Sequence, residues 1–275
     1  MRAEVLIPLT ATAADESTLA YGVRLARLLG GDATAMLAQP DPAEALVWSA
    51  DGAFGVLPRS VLESAVRGVD EAFAATRTRV AAAGSGLVLE RLIAMPESAI
   101  PMRALLADIT LFSCETARGS GLLAGVFEEV LMTARAPVLV ARGDPAAVAT
   151  TVVIAWDGSA EAARAARAAE PFARIAQKTM VLSLVHPDAD PAPTRQSGAQ
   201  LAARLARAGI AAEVVVERAN AAPEGKLLLE AAAGMGAGLF VAGGFGHSRA
   251  REFVFGGATR TFLNTASSPA LLLAH

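Results

Sequence analysis

The sequence predicts an α/β protein built from two tandem domains, each a five-stranded parallel sheet, doubly wound, with helices on both faces. Three observations carry this. Short apolar runs alternate with amphipathic stretches along the whole chain, and such alternation implies parallel strands joined by right-handed helical crossovers. The pattern then repeats at a spacing of roughly 130–147 residues, far beyond solenoid periods, so a whole domain is duplicated. Finally, 275 residues that are 53% hydrophobic hold enough apolar material for two cores.

The elements follow in order. "EVLIPL" (4–9) is a buried strand, and "ADESTLAYGVRLARLLGG" (14–31) is an amphipathic helix stopped by glycines. "ATAMLAQ" (33–39) is a strand. Residues 40–60 form a loop rich in Pro, Gly and Ala; its Trp48 and Phe54 suit a lid, a contact between subunits or plain disorder. Helical spacing of apolar residues returns over 61–84. "LVLERLIA" (87–94) is a strand, 97–107 a helix despite Pro101, and "DITLFSC" (108–114) a strand. Residues 125–134 are a helix, and "APVLVAR" (136–142) is a strand. After the linker "GDPAAVAT" (143–150) come a strand (151–156), a helix (159–176), a strand (179–185), a helix (195–209), a strand (212–218), a helix (224–234) and a strand (238–243). A last helix and a last strand, "SPALLLAH", complete the second copy. The copies align at their ends: "GVFEEVLMTARAPVLVAR" over "GATRTFLNTASSPALLLAH", with Pro137 over Pro269, and "ITLFSC" over "GLFVAG". Domain boundaries at 1–145 and 146–275 follow.

Composition narrows the function. Residues 1–145 hold 12 basic against 17 acidic side chains, a net −5, whereas residues 146–275 hold 12 against 10, a net +2. The second copy suits a small anion better than the first. Neither has the dense basic stripe of a nucleic-acid binder, and 5% aromatics make base-stacking platforms improbable. No apolar run reaches the length of about 18 residues needed for a membrane span, and residues 1–9 make a poor signal peptide, so a cytoplasmic protein is expected. One cysteine, Cys114, excludes a disulfide framework, and three scattered histidines argue against zinc.

In a doubly wound sheet, ligands lie at the carboxyl ends of the strands, where strand order reverses. In the second copy two loops meet that condition: "AWDGSAEAA" after its first strand and "VAGGFGHSRAREFVFGGATRT" after its fourth. The glycine spacing is Gly243-x2-Gly246-x9-Gly256-Gly257, with Thr259 two residues on. Glycines 243 and 246 allow a tight turn that brings backbone N–H groups toward an anion. Gly256 and Gly257 open a helix whose first N–H groups are unsatisfied and lie at the positive end of its dipole. Such a loop holds a polyphosphate without a lysine, and Thr259 offers a hydroxyl.

This pattern resembles the universal stress protein family, whose hallmark is G-x2-G-x9-G-[S/T] after the fourth strand. "VIAWDGS" and "SPALLLAH" are similar to the family as well, and the resemblance covers essentially the whole chain as two tandem copies. It implies a flavodoxin-like (Rossmann-like) fold, dimerisation and a role in stress response. It also implies binding of ATP or another adenine nucleotide, with or without Mg2+. Residue by residue, Asp157 matches the acid on the adenosine side, Val185 falls near the adenine position, and Gly243, Gly246 and Gly256 match the phosphate loop. Gly257 departs from the family's Ser/Thr and removes a hydroxyl; whether Thr259, two residues on, replaces it is left open by the sequence. The first copy departs further. Thr10 stands where Asp157 stands, "SCETARGSGLLAG" replaces the glycine loop, Ala124 replaces Gly256, and Glu115 opposes phosphate.

Plainer readings stand beside these. Glycines also suit any strand-to-helix turn, and Asp157 and Ser159 suit a helix start. His247, Arg249 and Arg251 suit a solvated loop, and Cys114 an inert buried thiol. No general base, nucleophile pair or metal cluster converges on the crevice, so turnover beyond slow ATP hydrolysis is not expected. The alternative function is a protein-interaction module of the same fold without nucleotide. The two copies are expected to pack as a pseudo-dimer through their last strands, since edge strands invite partners. A further homodimer and an unidentified protein partner are also open to the chain.

Overall fold

The structure, a computed structural model, describes residues 2–42, 59–244, 257–265 and 269–275. Among these, ten strands form one sheet. The first half supplies β1 (Glu4–Pro8), β2 (Asp32–Gln39), β3 (Leu87–Ile93), β4 (Ile109–Ser113) and β5 (Val138–Ala141). The second supplies β6 (Thr151–Ala155), β7 (Lys178–Val185), β8 (Glu213–Arg218), β9 (Leu239–Gly243) and β10 (Ala270–Ala274). Their order is β3-β2-β1-β4-β5-β10-β9-β6-β7-β8. Every pairing inside a half is parallel. In each half the chain runs outward from its first strand, then returns to that strand's other side, which creates a switch point at β1/β4 and at β6/β9.

The sequence makes both faces apolar. Alternate side chains of a strand point to opposite sides. Val5, Ile7, Leu139, Val152, Ile154 and Leu272 enter one apolar layer; Leu6, Val138, Val140, Val153, Leu271 and Leu273 enter the other. Each layer therefore runs unbroken through both halves. Helices cover them: α1 (Asp15–Leu28), α2 (Arg59–Ala83), α3 (Pro96–Ala104), α4 (Cys114–Ala117) and α5 (Ala124–Glu128) in the first half. The second half has α6 (Ala160–Ala168), α7 (Glu170–Ile175), α8 (Ala192–Arg207), α9 (Glu224–Gly234) and α10 (Gly257–Asn264).

The halves join where β10 pairs β5 antiparallel, with Leu271 opposite Val140, Leu272 opposite Leu139 and Leu273 opposite Val138. All six side chains are fully buried. The contact expected between the last strands is thus present. The linker is no loose tether: Pro145–Ala149 forms a 3-10 turn capped by Asp144, Asp144 pairs with Arg24 of α1 at 2.8 Å, and Val148 is fully buried.

Three expectations need correction. Ladder registers place Val5 with Ile109 and Val152 with Leu239, so Ser113, not Cys114, matches Gly243. They also place Thr110 with Val138 and Phe240 with Leu271, so Pro137 matches Ala270, not Pro269. The alignment by prolines is off by one residue because hydrogen-bond register, not the proline, fixes the strand. The single helix expected over 159–176 is two, α6 and α7, broken at Ala169 just before Pro171. Proline has no N–H to donate into the preceding turn. Trp48 and Phe54 lie outside the described residues.

Candidate functional site

The second-half switch point is built by β6 and β9, which run parallel side by side with Ile154 opposite Val241. Trp156 and Asp157 leave the sheet beside Gly243 and Gly244. Trp156 fixes this exit. Its N–H donates to the Leu182 carbonyl at 2.8 Å, its carbonyl accepts from Ser183 Oγ at 2.7 Å, and its indole Nε1 donates to Ser197 Oγ of α8 at 2.9 Å. The β6 exit is thereby tied to both β7 and α8. Sequence reasoning passed over Trp156, although a tryptophan directly before the acidic residue was a visible signal.

Asp157 is exposed. Its Oδ1 accepts the Ser159 N–H at 2.8 Å, and Ser159 Oγ accepts the Ala162 N–H at 3.1 Å. Gly158 between them adopts φ +83°, a region that favours glycine. The helix-start role of Asp157 is therefore realised: one oxygen holds the turn, and the side chain is exposed to solvent. Val185 ends β7, is buried at 6% exposure, and its carbonyl accepts the Ala219 N–H at 2.8 Å.

Gly243 has a reason unrelated to phosphate. A Cβ there would lie 2.7 Å from the Ala162 nitrogen and 2.9 Å from the Glu161 carbonyl carbon. The first turn of α6 rests on the end of β9, and only glycine fits beneath it. Gly244 donates its N–H to the Ala274 carbonyl at 2.8 Å, and its own carbonyl lies 2.9 Å from His275 Nδ1. Gly257 opens α10, and a Cβ there would meet no atom of the described residues within 4 Å. Thr259 points the other way: it is 3% exposed and buried on the face of α10 that also buries Phe262 and Leu263. The described geometry brings Asp157, Gly243 and Gly257 to one end of the sheet and turns Thr259 into the core. Gly246, Gly256, His247, Arg249 and Arg251 lie outside the described residues.

The first half differs at the matching switch point. Registers equate Thr10 with Asp157, as the sequence suggested. Asp15 Oδ1 accepts from the Thr10 N–H at 2.9 Å and from its Oγ1 at 2.7 Å. Ser113 Oγ accepts the Thr116 N–H at 3.2 Å and starts α4 directly after β4. No glycine-rich loop intervenes. Displaced proton affinities also lie in this half: burial pushes the Tyr21 phenol upward, opposed by the Arg142 backbone and aided by Asp144 and Cys114, and burial, then Glu129, raises the Glu128 carboxyl. Among the described residues no group of three or more His, Cys, Asp or Glu could hold a metal ion, and no helix is long and apolar enough to cross a membrane.

Solved structures with this architecture exist. A universal stress protein from Archaeoglobus fulgidus matches 98% of this chain with 97% of its own, at a TM-score of 0.69 and 14% identity. A candidate universal stress protein from Pseudomonas aeruginosa matches 100% of this chain with 93% of its own, at a TM-score of 0.51 and 12% identity. A universal stress protein in complex with cAMP matches 51% of this chain with 96% of its own, at a TM-score of 0.30 and 13% identity. No family profile matches the chain, and no curated protein matches it. The chain shares the fold of universal stress proteins along its whole length, which agrees with the resemblance read from the sequence.

Proposed function

We propose that this chain is a tandem universal stress protein that binds an adenine nucleotide in its second domain, residues 146–275, while the first domain, residues 1–145, is a scaffold copy without a site. What supports the reading is that exposed Asp157 follows β6 and that α10 opens at Gly257 after β9, the two strands that form the second-half switch point. The carboxylate suits the ribose hydroxyls of a nucleotide, as hydrogen-bond acceptor. Phosphate suits the N-terminal end of α10, where the helix dipole favours an anion, and where Gly257 carries no side chain. The nucleotide brings charge and shape to be sensed; the chain's residues bind and orient it. Gly246 and Gly256 complete the phosphate loop by their sequence spacing, and Val185 borders the base. The site belongs to a ligand-gated signalling or protective protein in the cytoplasm.

A second reading, an interaction module without nucleotide, is favoured by three residues. Gly243 is accounted for by packing under α6, Thr259 is buried, and Gly257 lacks the hydroxyl of the family pattern. Native mass spectrometry of the freshly purified protein separates the two. The nucleotide reading expects a retained or added adenine nucleotide that Gly246→Val abolishes without unfolding, because a side chain there keeps phosphate from the backbone. Absence of any adduct with ATP, ADP, AMP or cAMP, or an unchanged adduct in the folded variant, favours the interaction module.

A further inference from the structure

The helix that opens at Gly257 is held at its other end by the opposite half of the molecule. Arg142 Nη2 donates to the Phe262 carbonyl at 2.7 Å and to the Leu263 carbonyl at 3.2 Å. Arg118 Nε donates to the Leu263 carbonyl at 3.2 Å. These are last-turn carbonyls, which have no partner within their own helix and form the negative end of its dipole. Arg142 is 6% exposed, and its Nε donates to Cys114 Sγ at 3.2 Å. Both arginines come from the first half.

Ladder registers make His275 the counterpart of Arg142, and its Nδ1 lies 2.9 Å from the Gly244 carbonyl of its own half. The last helix of the first half closes itself: after α5 a π-helical turn spans Glu129–Thr133, Ala134 and Ala136 donate back to the Glu129 and Val130 carbonyls, and Arg135 takes φ 54°. The first half thus supplies two cations to the end of α10 in the second.

We propose that Arg142 and Arg118 are positioning residues through which the first half regulates the anion site of the second. An eight-residue helix such as α10 is marginal by itself, since helices that short lack the bonds to offset nucleation. Its N-terminal N–H groups face an anion only while the helix is formed. Holding the C-terminal carbonyls keeps it formed, so loss of the clasp lowers affinity at the far end. Nucleotide affinity as a readout rests on the function proposed above; order in α10 does not.

Amide hydrogen exchange and ATP titration on the full chain test this with Arg142→Met, Arg142→Lys and Arg118→Met. Exchange across 257–264 should speed about tenfold or more in Arg142→Met and less in the other two, with β6 to β9 unchanged, and ATP affinity should fall severalfold in the same order. If Arg142→Met fails to fold, Arg118→Met decides, because Arg118 is exposed. Unchanged exchange in α10 overturns the clasp. Faster exchange with unchanged ATP affinity overturns the regulation. A wild-type chain that binds no ATP removes the nucleotide reading, and the exchange result still decides whether the halves are coupled.

Discussion

Ser113 and Gly243 hold the same place in two copies of one fold, at the end of the fourth strand, yet one carries a side chain and the other has no room for it. The difference lies in the neighbouring helix. Asp15, the first residue of α1, matches Ala162, whereas α6 starts two residues earlier at Ala160. The early start of α6 drives its first turn onto Gly243. The later start of α1 frees space, and Ser113 uses it to cap α4. Asp15, buried at 5% exposure, then turns inward to Thr10. The serine at the end of β4 and the later start of α1 therefore occur together in the first half, as the glycine and the earlier start of α6 do in the second.

That comparison depends first on the equivalence of the halves. Leu139 and Leu272 face each other at the junction and are both fully buried. Each →Ala variant should lose about 2–5 kcal/mol, by similar amounts, in denaturant unfolding. A large cost at one and none at the other would end the equivalence.

The paired sites should respond unequally. Gly243→Ala pushes a Cβ against α6 backbone and should cost about 1–3 kcal/mol. Ser113→Ala removes only the cap of a four-residue helix, for roughly 1 kcal/mol. Equal losses would mean that α6 can shift away. Gly257→Ser should leave the melting temperature within a degree or two, since its Cβ meets no atom of the described residues within 4 Å; if phosphate binds there, ATP affinity should rise, because a hydroxyl is restored beside it.

The smallest effect concerns Glu128. Its folded-state proton affinity is raised, first by burial and then by Glu129. The charged form is thus disfavoured by folding, and its penalty appears as pH rises through and above the ordinary carboxylate range. Glu128→Gln should stabilise the first half slightly at pH 7 and have no effect near pH 3. Stabilisation that grows toward acid would contradict this.

Strands and helices were legible because apolar periodicity states them directly, and the duplication was legible because it repeats them. Thr10 was matched to Asp157 correctly, since both follow an unambiguous first strand. The one-residue slip at Pro137 arose because prolines mark strand entry while the ladder sets register. The burial of Thr259 could have been read: with Phe262 and Leu263 it falls at i, i+3 and i+4 on one helix face, but the family pattern drew attention to its hydroxyl. Gly243 could not be assigned, because its constraint comes from the path of another helix. Arg142 was equally silent, since the carbonyls it holds lie 120 and 121 residues away.

On the proposed reading, one copy kept a nucleotide site and the other lost it. Calorimetric titration of the full chain with ATP measures this directly. The account predicts a stoichiometry near one per chain, lost in Gly246→Val and unaffected by Ser113→Ala. Two sites per chain, or no heat with any adenine nucleotide, would contradict it.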